Sequence, residues 1–145
     1  NELVIITKPG NPAGITTLAD LADAGVVALC GEEVPCGAYA AQALEASGVS
    51  IPESSVTRGQ NVGATLTAVA EGDAVAGTVS VTDAGGAGAP VDAVATPAEH
   101  DVVATYPIGI LTTAPNGEVA EAFVAYVLGD EGQAVLEEHG FLPPP

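Results

Sequence analysis

Short apolar runs and longer stretches of helical periodicity alternate along the whole chain. The apolar runs predict β-strands, and the continuous run LVIIT near the start indicates a strand that is buried on both faces. The predicted strands lie at residues 3–7, 26–29, 74–81, 91–95 and 106–112. Because they alternate with helices of about a dozen residues, the pattern indicates an α/β fold with a mostly parallel sheet flanked by helices.

The predicted helices have recognisable start and stop signals. Hydroxyl side chains at residues 16–17 and the amide of Asn61 are suited to N-capping, and glycines follow the helix ends. These helices cover residues 16–23, 37–46, 62–71, 118–128 and 131–139, with a helical turn at 82–84. The polar, proline-containing stretch around Arg58 and the glycine-rich stretch 85–90 are predicted loops. In a sheet of this kind, ligands bind beyond the carboxyl ends of the strands, where helix N-termini converge.

Composition and charge narrow the class of protein. Of the 145 residues, 48% are hydrophobic and 3% aromatic, so we expect a compact globule with an aliphatic core. Only Lys8 and Arg58 are basic, against 19 acidic residues, and the formal charge is −17. Nucleic acid is excluded as a partner because phosphate contacts need clustered basic residues, and an anionic membrane is disfavoured for the same reason. The acidity itself indicates a solvated surface.

The sequence contains neither a signal peptide nor an apolar run that approaches the roughly 20 residues needed to cross a bilayer. It begins at Asn1 and has no methionine. We therefore expect a processed or truncated chain rather than an intact translation product.

The two cysteines, Cys30 and Cys36, enclose a five-residue segment in CGEEVPC. A closed zinc site needs four ligands, and the spacing differs from that of the redox motif CxxC. The preferred interpretation is a small disulfide-closed loop in an oxidising compartment. Two free buried thiols are the alternative.

The sequence offers no positive evidence for catalysis. None of the common nucleophile, phosphate-loop, dinucleotide or metalloprotease motifs occurs. His100 lies in a polar loop, and His139 lies in the last turn of a predicted helix, where a histidine favours the helix dipole. Adjacent carboxylates at 32–33 and 130–131 are typical of exposed loops and helix starts. We therefore expect no enzyme, no cofactor and no residues that ligate a metal cation directly.

Two helix starts have first turns filled by small or apolar residues. The segment VPCG at residues 34–37 opens one helix, and QNVG at residues 60–63 opens the other. Uncrowded backbone N–H groups at the positive end of a helix form an anion site without a charged side chain. For either start taken alone, an ordinary capped helix is the alternative.

Short segments in a fixed order cover nearly the whole chain. They are residues 1–5 (NELVI), 11–12 (NP), 18–22 (LADLA), 34–40 (VPCGAYA), 42–44 (QAL), 61–62 (NV), 70–72 (AEG), 77–84 (GTVSVTDA), 106–108 (YPI), 131–133 (EGQ) and 139–141 (HGF). Their order and spacing resemble those of periplasmic or lipid-anchored molybdate-binding proteins, the substrate-binding components of molybdate/tungstate ABC importers. The resemblance implies a type II periplasmic-binding-protein fold with two α/β lobes and a ligand cleft between them.

The resemblance also implies a division of the chain. Residues 1–7 correspond to a hinge strand, 8–105 to the second ligand-binding lobe, and 106–145 to a return hinge strand with C-terminal helices of the first lobe. Members of this family carry further first-lobe sequence upstream, so half of the binding site is expected outside this chain. The surface that the missing part covers is a candidate for self-association.

By similarity, the second lobe supplies its donors at three places. The backbone N–H of Cys36 corresponds to an alanine in the common VPAG motif, and that of Val62 to the Asn-Val position of the family. Ser80 occupies the place of a tyrosine whose hydroxyl often reaches the ligand, and its shorter side chain calls for a water bridge. Gly37 and Asn61 are the neighbouring candidates.

The function implied by the resemblance is capture of a tetrahedral oxyanion, molybdate or tungstate, outside the cytoplasm and delivery to an ABC permease. Neutral donors without acceptors favour a fully deprotonated dianion, and each charge-assisted hydrogen bond contributes about 1.5–3 kcal/mol. A binding protein for sulfate, phosphate or another small anion is the first alternative. A non-transport interaction or sensory domain on the same scaffold is the second.

Overall fold

The computed structural model describes residues 1–86, 88, 90–97 and 99–144. The strands are β1 (Leu3–Thr7), β2 (Val27–Cys30), β3 (Val56–Gly59), β4 (Ala76–Ser80) and β5 (Asp92–Ala95). The α-helices are α1 (Pro35–Ala46), α2 (Val62–Ala70), α3 (Val81–Gly86), α4 (Gly117–Leu128) and α5 (Asp130–Glu138), and short 3-10 helices cover Leu18–Asp23 and Glu53–Ser55. Within these ranges, none of the helices combines the length and the hydropathy of a membrane-spanning segment.

The strands form one mixed sheet in the order β3-β2-β4-β1-β5. Strands β3, β2 and β4 are parallel neighbours, whereas β1 runs antiparallel to both β4 and β5. The predicted α/β class is confirmed, but half of the strand pairings are antiparallel. The reason is that β1 begins at the edge where β4 ends, so that Leu3 pairs with Ser80. Apolar periodicity predicts that a segment is a strand and does not encode its direction.

The hydrophobic core lies on both faces of this sheet. All five residues of β1 are buried, as its continuous apolar run predicts, and their side chains alternate between two layers. Leu3 and Ile5 pack on the face covered by α1, and Val4 and Ile6 on the face covered by α2. Full burial of each such side chain contributes about 1.5–3 kcal/mol. The two layers therefore hold α1 and α2 on opposite faces of the sheet.

The structure contradicts the predicted loop around Arg58, because this segment forms strand β3. Strand β3 pairs with β2 alone, and its two middle residues are exposed. An edge strand with polar residues facing solvent lacks the apolar run by which a strand is detected. The predicted helix at 16–23 is a 3-10 helix over Leu18–Asp23 with Thr17 at its N-cap. In the predicted loop at 85–90, Gly85 and Gly86 end α3, and residues 87 and 89 lie outside the described residues.

The predicted strand at residues 106–112 is wrong, because none of these residues forms a strand. Tyr106 and Leu111 are 61% and 77% exposed. Strand backbone groups need a partner, and in the described part of the chain the sheet ends at β5 and β3. The helices predicted at 118–128 and 131–139 are confirmed as α4 and α5, which pack against each other.

Candidate anion-binding site

The carboxyl ends of three parallel strands meet at one edge of the sheet. Cys30 at the end of β2 pairs with Gly59 at the end of β3, and β2 is also in parallel register with β4, which ends at Ser80. Each of these strands is followed by a helix, α1, α2 and α3 in turn. The parallel register therefore brings the predicted donors at Cys36, Val62 and Ser80 to the same edge.

The N-terminus of α1 leaves one backbone donor open. Val34 is the N-cap and makes no side-chain capping hydrogen bond, and its carbonyl oxygen accepts from the N–H groups of Gly37 (3.0 Å) and Ala38 (3.1 Å). Pro35 has no N–H to offer. No acceptor for the N–H of Cys36 is found among the described residues. Cys36 is thus the open donor of this turn, whereas the N–H of Gly37 is already engaged.

Gly37 has a steric role in the same turn. A Cβ at this position would collide with the carbonyl oxygen of Gly31 and lie 2.9 Å from that of Cys30. The loop between β2 and α1 therefore packs directly on the helix start. Only glycine allows this close approach.

The disulfide between Cys30 and Cys36 closes this loop, with the two Cα atoms 5.7 Å apart. Both cysteines are buried, and the sequence has no others. The predicted disulfide is confirmed, and the alternative of two free thiols is not observed. The bond joins the last residue of β2 to the residue whose N–H is open.

The N-terminus of α2 is capped differently. The Asn61 Oδ1 accepts from the N–H of Ala64 (2.9 Å), so the Asn61 side chain serves as the N-cap. The Asn61 carbonyl oxygen accepts from the N–H of Thr65 (3.1 Å) and from its hydroxyl (3.2 Å). In the described part of the chain, neither Val62 nor Gly63 has an acceptor for its N–H. Their donors therefore point out of the first turn of the helix.

Ser80 is half-buried at the end of β4 and leads directly into α3. The same edge carries hydroxyl and amide groups whose proximity the sequence does not reveal. The Nδ2 of Asn1 donates to the Thr82 hydroxyl (2.8 Å) and to the Tyr106 hydroxyl (3.3 Å). These residues are far apart in sequence, so only the folded chain could reveal that they are neighbours.

Both basic residues of the sequence are bound to protein acceptors. The Lys8 Nζ donates to the carbonyl oxygen of Gly72 (2.8 Å), just beyond the C-terminus of α2, where a positive charge is favoured. Since the sequence has no other Lys or Arg, the donors that remain open at the strand edge are backbone N–H groups.

Arg58 on β3 forms hydrogen bonds to the loop between β2 and α1. Its guanidinium donates to both carboxylate oxygens of Glu53 (2.9 and 2.7 Å), to Glu32 (3.0 Å) and to the carbonyl oxygen of Cys30 (3.1 Å). The hydrogen bond from Arg58 lowers the pKa of Glu53, and the hydrogen bond to Glu53 raises the pKa of Arg58. This role could not be predicted from the sequence because it depends on the pairing of β3 with β2.

The two histidines are not among the candidate donors at the strand edge. The Nδ1 of His139 lies 2.8 Å from the carbonyl oxygen of Val135 at the end of α5, in line with the predicted helix-end role. His100 lies in the loop before Asp101, and its Nδ1 is buried without a hydrogen-bond partner among the described residues. Over the same residues, no group of three His, Cys, Asp or Glu side chains is arranged to hold a metal ion.

Two cavities lie beside helices that follow the parallel strands. One cavity of about 250 Å³ lies beside α1 and is lined by Leu44, Ile51 and Arg58 among others. A second of about 470 Å³ lies between α3 and the C-terminus of α5. Neither is lined by Cys36 or Val62.

A family model described as bacterial extracellular solute-binding protein matches residues 1–142. The chain therefore belongs to this family, whose members are binding proteins, and the expectation of a non-enzyme is confirmed. The molybdate-binding proteins ModA of Mycobacterium tuberculosis and Mycobacterium bovis are each 34% identical to it, over 99% of this chain and 55% of theirs. The chain thus spans about half the length of these curated relatives.

Solved structures share the fold. The substrate-binding domain of a putative molybdenum ABC transporter from Clostridium difficile matches with a TM-score of 0.78 and 24% identity, over 100% of this chain and 64% of that one. The periplasmic molybdate-binding protein of Azotobacter vinelandii matches with a TM-score of 0.70 and 20% identity, over 99% and 65%. The expected periplasmic-binding-protein fold is confirmed.

Proposed function

We propose that this chain supplies one side of an oxyanion-binding cleft in the substrate-binding protein of an ABC importer, with molybdate or tungstate as the ligand. The observation that carries the proposal is the pair of open N–H groups, Cys36 and Val62, at adjacent parallel strand ends. Neither helix has an acidic residue in its first turn. The molybdate-binding relatives add independent support for the ligand.

The chemistry of these donors suits a tetrahedral dianion. Backbone N–H groups at helix N-termini donate to anionic oxygens, and each charge-assisted hydrogen bond contributes about 1.5–3 kcal/mol. Ser80 adds a hydroxyl at the same edge, through a bridging water where its short side chain falls short. Gly37 and Asn61 act on this site indirectly, the former by allowing close packing and the latter by capping α2. A donor-rich site without a carboxylate acceptor disfavours a protonated phosphate, whose O–H group needs an acceptor.

The proposal extends to the organisation of the protein. Residues 1–7 act as a hinge strand, 8–105 as one ligand-binding lobe, and 106–145 as a return hinge with helices of the other lobe. The outer face of α4 supports this division, because Val119 and Phe123 are 68% and 60% exposed. We propose that further first-lobe sequence covers this face and supplies the opposing donors. Self-association of residues 1–145 through the same face is the alternative, and light scattering distinguishes the two.

Location and partners follow from the same proposal. The family is described as extracellular, and a buried disulfide is typical of an oxidising compartment. The protein therefore acts outside the cytoplasm and delivers its anion to the membrane permease of the importer. It needs neither a cofactor nor nucleic acid for this role.

Calorimetric titration of molybdate, tungstate and sulfate tests the proposal directly. We expect the full-length native chain to bind molybdate and tungstate tightly. Sulfate, which is smaller, should give no measurable binding. Residues 1–145 alone should bind molybdate far more weakly, because they hold only part of the donor set. Binding of sulfate or phosphate in preference to molybdate would instead favour a transporter of another anion. If none of these anions binds, an interaction or sensory domain on this scaffold is favoured.

A further inference from the structure

We infer that Thr65 is a positioning residue for the oxyanion site, because its hydroxyl orients the peptide group that carries the Val62 donor. The inference rests on the proposed function, since orientation of this peptide affects affinity only if Val62 binds the ligand. Thr65 is not among the donor residues, and it lies in α2, fully buried.

The carbonyl of Asn61 and the N–H of Val62 belong to one peptide group. In a planar trans peptide these two groups point in opposite directions. The Asn61 carbonyl oxygen accepts two hydrogen bonds from Thr65, one from its N–H (3.1 Å) and one from its hydroxyl (3.2 Å). Both bonds pull the carbonyl towards the helix. They therefore turn the Val62 N–H outward, and they polarise it as a donor.

The side chain of Thr65 is itself held on two sides. Its Oγ1 lies 3.4 Å from the Sγ of Cys30, which is part of the disulfide and carries no proton. The hydroxyl proton therefore goes to the better acceptor, the Asn61 carbonyl oxygen. On the other side, a Cβ at Gly59 would collide with Oγ1 and lie 2.8 Å from the Thr65 N. Thr65 is thus confined between the ends of β2 and β3.

This arrangement links the two open donors through a short set of contacts. The disulfide joins Cys36 in α1 to Cys30, the Cys30 sulfur touches Thr65, and Thr65 holds the Asn61–Val62 peptide. An anion shared by two helix N-termini requires a fixed distance and angle between their donors. Thr65 therefore contacts both the disulfide that closes the start of α1 and the peptide group that opens α2.

The test compares three variants in the full-length native chain. Thr65→Val keeps the branched shape and removes the hydroxyl, whereas Thr65→Ser keeps the hydroxyl. The matched control is Thr78→Val, because Thr78 is also buried, at 1% exposure, and its hydroxyl has no partner among the described residues. Calorimetry with sodium molybdate gives the affinities, and thermal unfolding without ligand shows whether each variant folds.

We expect Thr65→Val to weaken molybdate binding by about three- to tenfold, which is the loss of one hydrogen bond, while Thr65→Ser and Thr78→Val stay within about twofold. In two-dimensional NMR spectra, the molybdate-induced shift of the Val62 amide proton should shrink in Thr65→Val and return in Thr65→Ser. A merely structural role would alter the melting temperature without this residue-specific change.

Two outcomes overturn the inference, and they are distinguishable. If the unaltered protein binds molybdate and Thr65→Val binds it equally tightly with the same Val62 shift, the positioning role is refuted and the proposed function stands. If the unaltered protein binds no molybdate, the proposed function fails and the positioning role fails with it.

Discussion

The helix starts of this protein fall into two groups with opposite electrostatics. In α3, α4 and α5 the first turn carries acidic residues, namely Asp83, Glu118, and Asp130 with Glu131. In α1 and α2 it carries none, although the chain has 19 acidic residues. A carboxylate at a helix N-terminus already satisfies the positive end of the dipole. Of the five α-helices in the described part of the chain, α1 and α2 are therefore the ones whose first turn leaves the positive end of the dipole without an acidic residue.

The largest effect is expected from Gly37→Ala, which breaks the close packing that sets the α1 start apart. The new Cβ would collide with the Gly31 carbonyl oxygen, so the loop and the Cys36 N–H must move. We expect the free energy of unfolding to fall by about 1–3 kcal/mol, as for other overpacked sites. The affinity for molybdate should fall as well. Chemical denaturation and calorimetry measure the two effects.

Gly63→Ala is the matched control for that change. Gly63 also lies in the first turn of a helix, but a Cβ there meets only the Asn61 Oδ1 at 3.4 Å. Because alanine is favoured over glycine in helices by up to about 1 kcal/mol, stability should stay equal or rise. Equal stability of the two alanine variants would contradict the packing argument at Gly37.

Gly63→Glu would make the α2 start resemble that of α4, where a glutamate occupies the same second position. The carboxylate favours the helix dipole and repels a dianion. We expect the glutamate variant to bind molybdate about tenfold more weakly than Gly63→Gln, the uncharged variant of equal size, because one nearby charge at a partly hydrated surface is worth roughly that much. Similar affinities of the two variants would place the anion elsewhere.

A smaller effect is expected from removing the cap of α2. Asn61→Ala deletes the hydrogen bond from the Ala64 N–H to Oδ1, which is 2.9 Å long. Loss of such a cap costs about 1 kcal/mol of stability. Asn61→Asp retains a cap of equal quality and adds a negative charge, so it should keep stability while weakening molybdate binding. Denaturation and titration of both variants separate the capping role of Asn61 from its electrostatic role.

The smallest effect is expected from the ion pair between Arg58 and Glu53. The hydrogen bond from Arg58 lowers the pKa of Glu53, so the folded protein holds this proton less tightly than the unfolded chain does. The stabilisation is therefore present above the ordinary glutamate pKa, roughly 4.3, and is lost as the pH falls through the lowered value. Glu53→Gln should be slightly less stable at neutral pH, and the difference should vanish in acid. A difference that persists below that range would point to a cause other than ionisation of Glu53.

Local sequence patterns are sufficient to predict most of the secondary-structure elements. Helices α1, α2, α4 and α5 follow from periodicity and from cap residues such as Asn61, because a helix is stabilised by neighbours within one or two turns. The buried strand β1 follows from its continuous apolar run. The spacing of the two cysteines and the absence of any other cysteine favour the disulfide over two free thiols. These features depend on residues close together in the chain.

Long-range contacts decided the rest. The strand at 56–59 exists because β2 offers it a partner, whereas the apolar segment at 106–112 has none in the described chain and forms no strand. The antiparallel direction of β1 depends on where β4 ends.

The sequence by itself determined the α/β class and the helix starts without acidic residues, and its resemblance to molybdate-binding proteins implied Cys36, Val62 and Ser80 as candidate donors. Only the tertiary structure decided that the strands before them end side by side, and that Thr65 contacts both the disulfide and the Asn61 carbonyl. The physical reason is that a helix or a cap draws its stability from neighbouring residues, whereas strand pairing and a shared site join residues that are distant in the chain and are fixed only when the core packs.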